Sequence, residues 1–256
     1  MGGAMLAGWL EQGLDPATVV VEPHAPAVAP FAGRVRHVAT PAEIPAGFAP
    51  AAVILAIKPQ EAAAALPALA PLAGPGSVFL SIMAGRTIAG MAALLGPGAR
   101  IVRAMPNTPA AVRQGFTVAC AGPGVDAGQR ALCDALLGAI GEAAWVEAEG
   151  LLDPVTAVSG GGPAYVFLLA EVLEQAALAE GVPAELARRM ARATVAGSGA
   201  LLAASAEDAA TLRRNVTSPK GTTERALAVL MREGAWPDLM REAVAAATAR
   251  SRELAG

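Results

Sequence analysis

The sequence predicts an α/β domain built on a doubly wound sheet, followed by an all-α domain. Over residues 1–150, short apolar or β-branched segments alternate with helical segments, as is typical of a parallel sheet covered by helices. After about residue 150 the strand pattern stops, and helical segments follow one another to the end of the chain. We therefore expect two domains, at 1–150 and at 151–256.

The strands and helices of the first domain are predicted from local patterns. The continuous apolar runs at 51–57 and 77–83 are expected for strands that are buried on both faces of a sheet. A helical segment at 60–72 is interrupted by prolines, which remove backbone donors. The other predicted strands are 18–22, 35–39, 100–105, 115–121 and 143–147, and the other predicted helices are 2–12, 87–95 and 126–137.

The second domain is predicted to consist of five helices, at 163–180, 183–204, 206–215, 222–232 and 237–254. The run AYVFLLAEVLEQAALA is apolar on more than one helical face, and such a helix must be buried nearly all round. About a hundred residues cannot bury it alone, so we expect a partner chain.

The composition excludes several classes of function. The chain is 54% hydrophobic and 4% aromatic, so its core must be mostly Ala, Val and Leu. A net charge of −3 without a basic block argues against nucleic acid as a partner. The only two cysteines, Cys120 and Cys133, form neither a disulfide framework nor a metal-binding pattern, which predicts a reducing, cytoplasmic setting without a structural metal.

No membrane segment is predicted, although the mean hydropathy is +0.48. Prolines and glycines interrupt the uncharged stretch between Glu61 and Arg86, whereas a spanning helix needs about 20 largely unbroken apolar residues. The first residues lack the basic flank of a signal peptide. We therefore expect a soluble protein.

The stretch TLRRNVTSPKGTTERAL at 211–227 is a candidate binding loop between two helices. Pro219 ends the first helix, and Gly221 allows a tight bend before the second. Four hydroxyls surround that helix start, from Thr217, Ser218, Thr222 and Thr223. Free N–H groups and hydroxyls at a helix start suit a small carboxylate. The alternative is an ordinary helix N-cap, where Ser and Thr are favoured in any case.

Part of a dinucleotide-binding fingerprint lies at the start of the chain. Gly2 opens a helix, and Glu22 ends a strand 20 residues later, where an acid would accept from the ribose hydroxyls. Gly2 thus corresponds to the third glycine of a Rossmann-type motif whose first strand and first two glycines are not in the sequence. The alternative is that Gly2 is merely an N-terminal glycine.

Three strand ends are further candidates. AIKPQ and SIMAGR each end a predicted strand with small residues that would let backbone approach a flat ring, unless they are ordinary loops. RAMPNTPAAVRQG places Asn107 between two prolines, in a rigid polar turn that is either a domain hinge or the wall of a site.

The motifs LAIKPQ, SIMAG, RAMPNTPA, DPVTAVSGGGPAYVF and VTSPKGTTERAL, in this order and spacing, resemble those of pyrroline-5-carboxylate reductases. The resemblance runs from Gly2 to near the C-terminus. It implies a dinucleotide-binding domain at 1–150, and a helical domain for dimerisation and substrate binding at 151–256, in a dimer or a ring of dimers. The implied reaction is hydride transfer from NADPH or NADH to 1-pyrroline-5-carboxylate, giving L-proline, the last step of proline synthesis.

The resemblance also implies roles for individual residues. Thr223 is the expected catalytic residue, which hydrogen-bonds the ring nitrogen of the substrate. The expected substrate-binding residues are Ser218, Gly221, Thr222 and Thr223. The resemblance implies cofactor contacts at Ala56, Ile57, Lys58, Pro59, Met83, Ala84 and Gly85, to which the fingerprint and strand-end patterns above add Gly2, Glu22 and Asn107.

Three features depart from the family pattern. The glycine-rich start is incomplete, Gly161 stands where serine is usual, and Lys220 stands where glycine is common. One alternative is therefore a catalytically impaired dimeric relative that acts as a binding or scaffold protein. Another is a reductase of a different imine or of a 2-hydroxyacid type, which would be expected to carry a catalytic Lys or Asp in the helical domain.

Overall fold

The structure is a computed structural model that describes residues 1–13 and 17–255. It divides into two compact units, Met1–Gly160 with Ala247–Gly256, and Gly161–Ala246. The first unit holds all described strands and the second is helical, which confirms the predicted fold class. The domain boundary near residue 150 stays a prediction.

The strands are β1 (Val19–Val21), β2 (Arg36–Val38), β3 (Ala52–Leu55), β4 (Val78–Ser81), β5 (Ile101–Met105), β6 (Gly115–Ala121) and β7 (Gly141–Trp145). The helices are α1 (Gly2–Glu11), α2 (Ala62–Ala65), α3 (Ile88–Leu95), α4 (Ala127–Gly138), α5 (Leu152–Val155), α6 (Gly162–Ala179), α7 (Ala184–Ala204), α8 (Ala209–Asn215), α9 (Thr222–Leu230) and α10 (Trp236–Ala255).

The sheet is mixed and consists of two pieces. One piece has five strands in the order β3-β4-β5-β6-β7, and the other is the parallel pair β1-β2. All neighbouring strands of the larger piece are parallel except β5 and β6. Only residues 106–114 connect β5 to β6, which is too short for a parallel crossover. The expectation of a parallel arrangement was wrong at this pair.

The two apolar runs that predicted buried strands differ in their burial. All four residues of β4 are buried, as expected. In β3 only Leu55 is fully buried, whereas Ala52, Val53 and Ile54 are half-buried. The reason is position, because β3 ends the five-stranded piece and, within the described residues, pairs only with β4.

The core of the first unit lies on both faces of the sheet. Along β4, Val78 and Leu80 pack into one buried cluster with residues of α1 and α4, and Phe79 packs into a second cluster with residues of α3. The predicted helix at 60–72 is instead a 3-10 turn (Pro59–Glu61), the short α2 and a further 3-10 segment (Leu66–Leu72), since prolines interrupt the hydrogen-bond pattern.

The second unit leaves much apolar surface open. Helices α6 and α7 pack against each other, and Arg188 of α7 pairs with Glu174 of α6 at 3.1 Å. On α6, Phe167 is 67% exposed and Leu168 is 55% exposed. Large exposed apolar faces mark interaction surfaces. By length and composition alone, the helical stretch Glu149–Ala179 could also cross a membrane.

Candidate functional site

Two of the predicted cofactor turns lie side by side. Strands β3 and β4 are parallel neighbours with Leu55 opposite Ser81, and the ladder continues where Ile82 N–H donates to the Leu55 carbonyl at 3.2 Å. The turns that follow these strands therefore leave the sheet at the same edge. Ligands of open α/β sheets bind at the carboxyl ends of the strands. The structure brings the segments 56–59 and 83–85 together there.

These turns present small residues outward. Ala56 and Ala84 are exposed, so the backbone beside them is open to a ligand. Met83 is only 2% exposed, and its N–H donates to the Ser81 hydroxyl at 3.3 Å. The side chain of Met83 therefore belongs to the core of the unit. Ile57 and Pro59 are half-buried, and the Lys58 side chain is exposed.

Arg86 ties the two turns to each other, a role that sequence reasoning missed. Its Nε–H donates to the carbonyl oxygen of Pro59 at 2.8 Å, and the side chain is half-buried. The bond crosses from the end of the β4 turn to the β3 turn. The signal was present in the sequence, because an arginine follows the small residues of SIMAG directly.

Gly2 has the packing expected of the third fingerprint glycine. A Cβ added to Gly2 would lie 2.9 Å from the Cβ of Ala56, closer than two side chains can approach. That glycine of the dinucleotide motif serves close packing of helix on sheet. Gly2 thus lets α1 approach the end of β3, next to the candidate turns.

Glu22 follows β1, and its polar groups have partners close by. One carboxylate oxygen accepts the His24 N–H at 2.8 Å, and the backbone carbonyl lies 2.8 Å from Nε2 of His37. The residue is half-buried. The second carboxylate oxygen has no hydrogen-bond partner among residues 1–13 and 17–255, so it is available to a ligand.

The Asn107 side chain is engaged within the first unit. Its amide oxygen accepts the Phe116 N–H at 2.9 Å, and its amide nitrogen donates to the Ser159 hydroxyl at 3.2 Å. Asn107 thus joins the end of β5 to β6 and to the π-helical segment Thr156–Gly160. This geometry favours the wall or hinge role of Asn107. A direct bond from Asn107 to a cofactor stays a prediction.

The hydroxyl-rich loop of the second unit precedes α9. The Thr217 hydroxyl donates at 2.6 Å to the carbonyl of Arg213 in α8, so it already has a partner. By contrast, the hydroxyls of Ser218, Thr222 and Thr223 have no hydrogen-bond partner in the part of the chain that the structure describes. Ser218 and Thr222 are exposed and Thr223 is half-buried. These three hydroxyls surround the first turn of α9.

Backbone geometry shapes the same loop. The Gly221 N–H donates to the Ser218 carbonyl at 3.0 Å, and the Lys220 N–H donates to the Glu224 carboxylate at 2.8 Å. Lys220 has a φ of 62°, in the left-handed region where glycine is the least strained residue. This conformation explains why a glycine is common at this position in the family pattern.

Both thiols of the chain are unsuited to nucleophilic chemistry. Burial raises the pKa of the Cys133 thiol to about 12. Burial also raises the pKa of Cys120, with the Glu149 carboxylate adding to the effect. Because the thiolate is the nucleophile, neither cysteine is activated.

Comparison with known proteins identifies relatives over the whole chain. Residues 149–254 match the family model for pyrroline-5-carboxylate reductase dimerisation. A pyrroline-5-carboxylate reductase of Pseudomonas aeruginosa is 38% identical over 256 residues, which cover 100% of this chain and 93% of the relative. That of Haemophilus influenzae is 31% identical, with coverage of 99% and 94%.

Solved structures agree with the sequence relatives. A pyrroline-5-carboxylate reductase from Coxiella burnetii superposes with a TM-score of 0.91 at 32% identity, covering 100% of this chain and 95% of the other. The Plasmodium falciparum pyrroline carboxylate reductase with NADP bound gives a TM-score of 0.83 at 25% identity, again covering 100% and 95%.

Proposed function

The chain belongs to the pyrroline-5-carboxylate reductase family, and from that membership we propose that it reduces 1-pyrroline-5-carboxylate to L-proline with NADPH or NADH. The observation that carries the assignment is relatedness over the full chain, at 38% identity to the Pseudomonas aeruginosa enzyme. The loop before α9 supplies hydroxyls and backbone N–H groups, and the turns 56–59 and 83–85 supply exposed backbone, which suit this chemistry.

The reaction makes modest chemical demands on the protein. The nicotinamide supplies a hydride to the carbon of the C=N bond when the cofactor is bound. A cyclic imine can be protonated near neutral pH, so the chain needs no strong acid beside it. The protein's contribution is therefore positioning and electrostatics, which suits a site made of hydroxyls and backbone groups.

We assign the substrate to the loop before α9. The open hydroxyl of Ser218 and the backbone N–H groups at the first turn of α9 suit the substrate carboxylate, because a helix N-terminus attracts anions. Thr223 is placed in the first turn of the same helix, and its hydroxyl is free to hydrogen-bond the ring nitrogen. Thr222 adds a second hydroxyl, and Gly221 allows the close bend before it.

We assign the cofactor to the edge of the sheet formed by the turns 56–59 and 83–85. The exposed backbone at Ala56 and Ala84 would contact the nicotinamide half. We propose Gly2, at the start of α1, for the pyrophosphate side, because the N-terminus of the helix in such motifs binds phosphates, and the close contact of Gly2 with Ala56 supports this. We also propose that Asn107, which follows β5, lies near the bound cofactor.

Glu22 is proposed to favour NADH. Its free carboxylate oxygen at the end of β1 can accept from ribose hydroxyls, whereas it would repel a 2′-phosphate. Both cofactors should work, with NADH at least as efficient as NADPH. If Glu22→Gln leaves a strong NADPH preference unchanged, measured as kcat/KM with each cofactor, the residue does not select the cofactor. Arg34 and Arg36 would then be the next residues to vary.

Assembly is proposed to proceed through the second unit. The match to the dimerisation family model spans 149–254, and α6 exposes a broad apolar face. We propose a cytoplasmic homodimer, or a ring of dimers, whose partner covers this face, with no membrane or nucleic acid involved. Light scattering at micromolar protein should then give a dimer or a multiple of it, and a folded monomer would contradict the proposal.

The activity is tested by variants in the loop before α9. Thr223→Val removes the hydroxyl at nearly constant shape and should lower kcat by about 10²-fold with little change in KM. Ser218→Ala should mainly raise KM for 1-pyrroline-5-carboxylate, since it removes binding to the carboxylate. Thr223→Ser should keep most of the activity.

The matched control for this test is Thr217→Val. The Thr217 hydroxyl is bonded to the Arg213 carbonyl of α8 at 2.6 Å, so this variant should lower stability and leave the substrate contacts in place. Circular dichroism establishes that each variant is folded. A folded Thr223→Val variant with unchanged kcat would show that the loop is a helix cap and not the substrate site.

A further inference from the structure

The last turn of α10 lies directly on one of the candidate cofactor turns. A Cβ added to Gly85 would lie 3.0 Å from the carbonyl oxygen of Leu254 and 3.2 Å from its Cβ. Gly85 also has a φ of 67°, which disfavours any side chain there. The backbone of the β4 turn and the end of α10 are therefore in contact without room between them.

A buried hydrogen bond anchors that end of α10. The Ser251 hydroxyl donates to the Asp153 carboxylate at 2.7 Å. Ser251 is 7% exposed and Asp153 is 8% exposed, so neither group can exchange this partner for bulk water. A buried polar group is costly to leave without a hydrogen-bond partner, so this bond is favoured over its loss. The bond fixes α10 one helical turn before Leu254.

These contacts form a short chain from α5 to the cofactor turn. Asp153 of α5 holds Ser251, one turn of rigid helix places Leu254, and Leu254 rests on Gly85. All four residues belong to the first unit. Arg86 follows the same turn directly and donates to the Pro59 carbonyl at 2.8 Å. The β4 turn is thus restrained by two separate contacts.

We propose that Ser251 and Asp153 are positioning residues for the cofactor site, acting through the last turn of α10 on the turn Met83–Gly85. The proposal rests on the proposed function of that turn. Loss of the hydrogen bond frees the last turn of α10, widens the range of positions open to the Gly85 backbone and weakens NAD(P)H binding. The substrate loop before α9 takes no part in these contacts, so substrate affinity is unaffected.

The experiment compares Ser251→Ala with the wild-type chain of 256 residues. We expect a rise of about five- to tenfold in the Kd and KM for NAD(P)H, which lies within the range of effects of variants along a packed network. The KM for 1-pyrroline-5-carboxylate should stay within about twofold. Cofactor binding is measured by fluorescence titration without substrate, and both KM values by steady-state kinetics. Ser251→Thr keeps the hydroxyl and should restore cofactor affinity.

Gln129→Met is the matched control for a loss of buried hydrogen bonds. Gln129 is 7% exposed and donates to the carbonyls of Pro75 and Ser77, both at 3.2 Å, before the start of β4. This variant should lower Tm without changing the Kd for NAD(P)H. Should Ser251→Ala fail to fold, Asp153→Asn, which keeps an acceptor oxygen for Ser251, should raise that Kd by about two- to threefold.

Two results would overturn the proposal. One is a folded Ser251→Ala or Asp153→Asn variant that binds NAD(P)H as the wild type does. The other is an equal rise in both KM values, which indicates a general loss of structure. Failure of the proposed function is distinguishable, since the wild-type protein itself would then neither bind NAD(P)H nor reduce 1-pyrroline-5-carboxylate.

Discussion

Replacing Lys220 by glycine separates backbone strain from charge in the substrate loop. Lys220 is exposed and has a φ of 62°. A left-handed conformation costs an L-residue about 1–2 kcal/mol. Glycine avoids this cost but loses about 0.4–1 kcal/mol through the greater freedom of the unfolded chain. The difference predicts that Lys220→Gly raises the free energy of unfolding by about 0.5–1 kcal/mol.

The loop itself should be unchanged by this replacement. The only hydrogen bond that the structure describes for Lys220 in the loop uses its backbone N–H, which donates to Glu224 at 2.8 Å and is retained in glycine. The kcat and KM should therefore stay within about twofold of the wild-type values. Lys220→Ala is the matched control, because alanine removes the charge but keeps the left-handed strain.

The assay is urea denaturation of all three proteins at one protein concentration, since the stability of an oligomer depends on concentration. For a chain of this size, a gain of 0.5–1 kcal/mol corresponds to a rise in Tm of about 1–4 °C. If the glycine variant is no more stable than the alanine variant, residue 220 is not held in a left-handed conformation. If both variants raise the KM for 1-pyrroline-5-carboxylate equally, the ammonium group captures the substrate carboxylate.

Three further predictions concern the first unit. Arg86→Met removes the donor that links the two cofactor turns and should raise the Kd for NAD(P)H by about three- to tenfold in a fluorescence titration, whereas Arg100→Met, just before β5, should leave it unchanged. Equal Kd values for both variants would contradict the bridging role of Arg86. Cys133 has a pKa of about 12 in the folded chain against 9.0 for an ordinary thiol, so the unfolded state loses its proton first. The free energy of unfolding should thus fall by about 1.4 kcal/mol per pH unit as the pH rises above about 9. Urea denaturation at several pH values should show a smaller fall for Cys133→Ala, and an equal fall would contradict the burial of Cys133. Arg103→Met removes the buried guanidinium that lies 2.9 Å from Glu149 and should lower the free energy of unfolding, measured by urea denaturation, by about 2–4 kcal/mol. Adding Glu149→Gln should restore part of this loss in the double variant, whereas additive losses would show that the pair is not coupled.

Much of the fold could be predicted because its signals are local. The apolar run that forms β4 is buried on both faces, and the succession of strands and helices in the first unit follows the predicted order. Prolines ended or shortened helices where expected, as in the segment Leu66–Leu72. Such patterns depend on residues that are close together in the chain, so they can be recognised from the sequence.

The candidate site was predicted in part for the same reason. The hydroxyl residues before α9 are close together in the sequence, so they could be predicted to form one site. In the structure, the hydroxyls of Ser218 and Thr223 have no hydrogen-bond partner among the described residues. Thr217 belongs to the same pattern, but its hydroxyl is bonded to Arg213. Only the three-dimensional structure distinguishes a hydroxyl that already has a hydrogen-bond partner from one that is open to a ligand, since both occur in the same sequence context.

By itself, then, the sequence determined the two kinds of domain, the order of the elements and the motifs that mark the family, because each of these resides in short segments. The tertiary structure alone decided that β3 pairs only with β4 among the described strands, that β6 runs antiparallel to β5, and that Asn107 bonds to Phe116 and Ser159. It also decided that Leu254 rests on Gly85. The physical reason is that these features are contacts between distant segments, and many pairings satisfy the same local pattern until packing selects one.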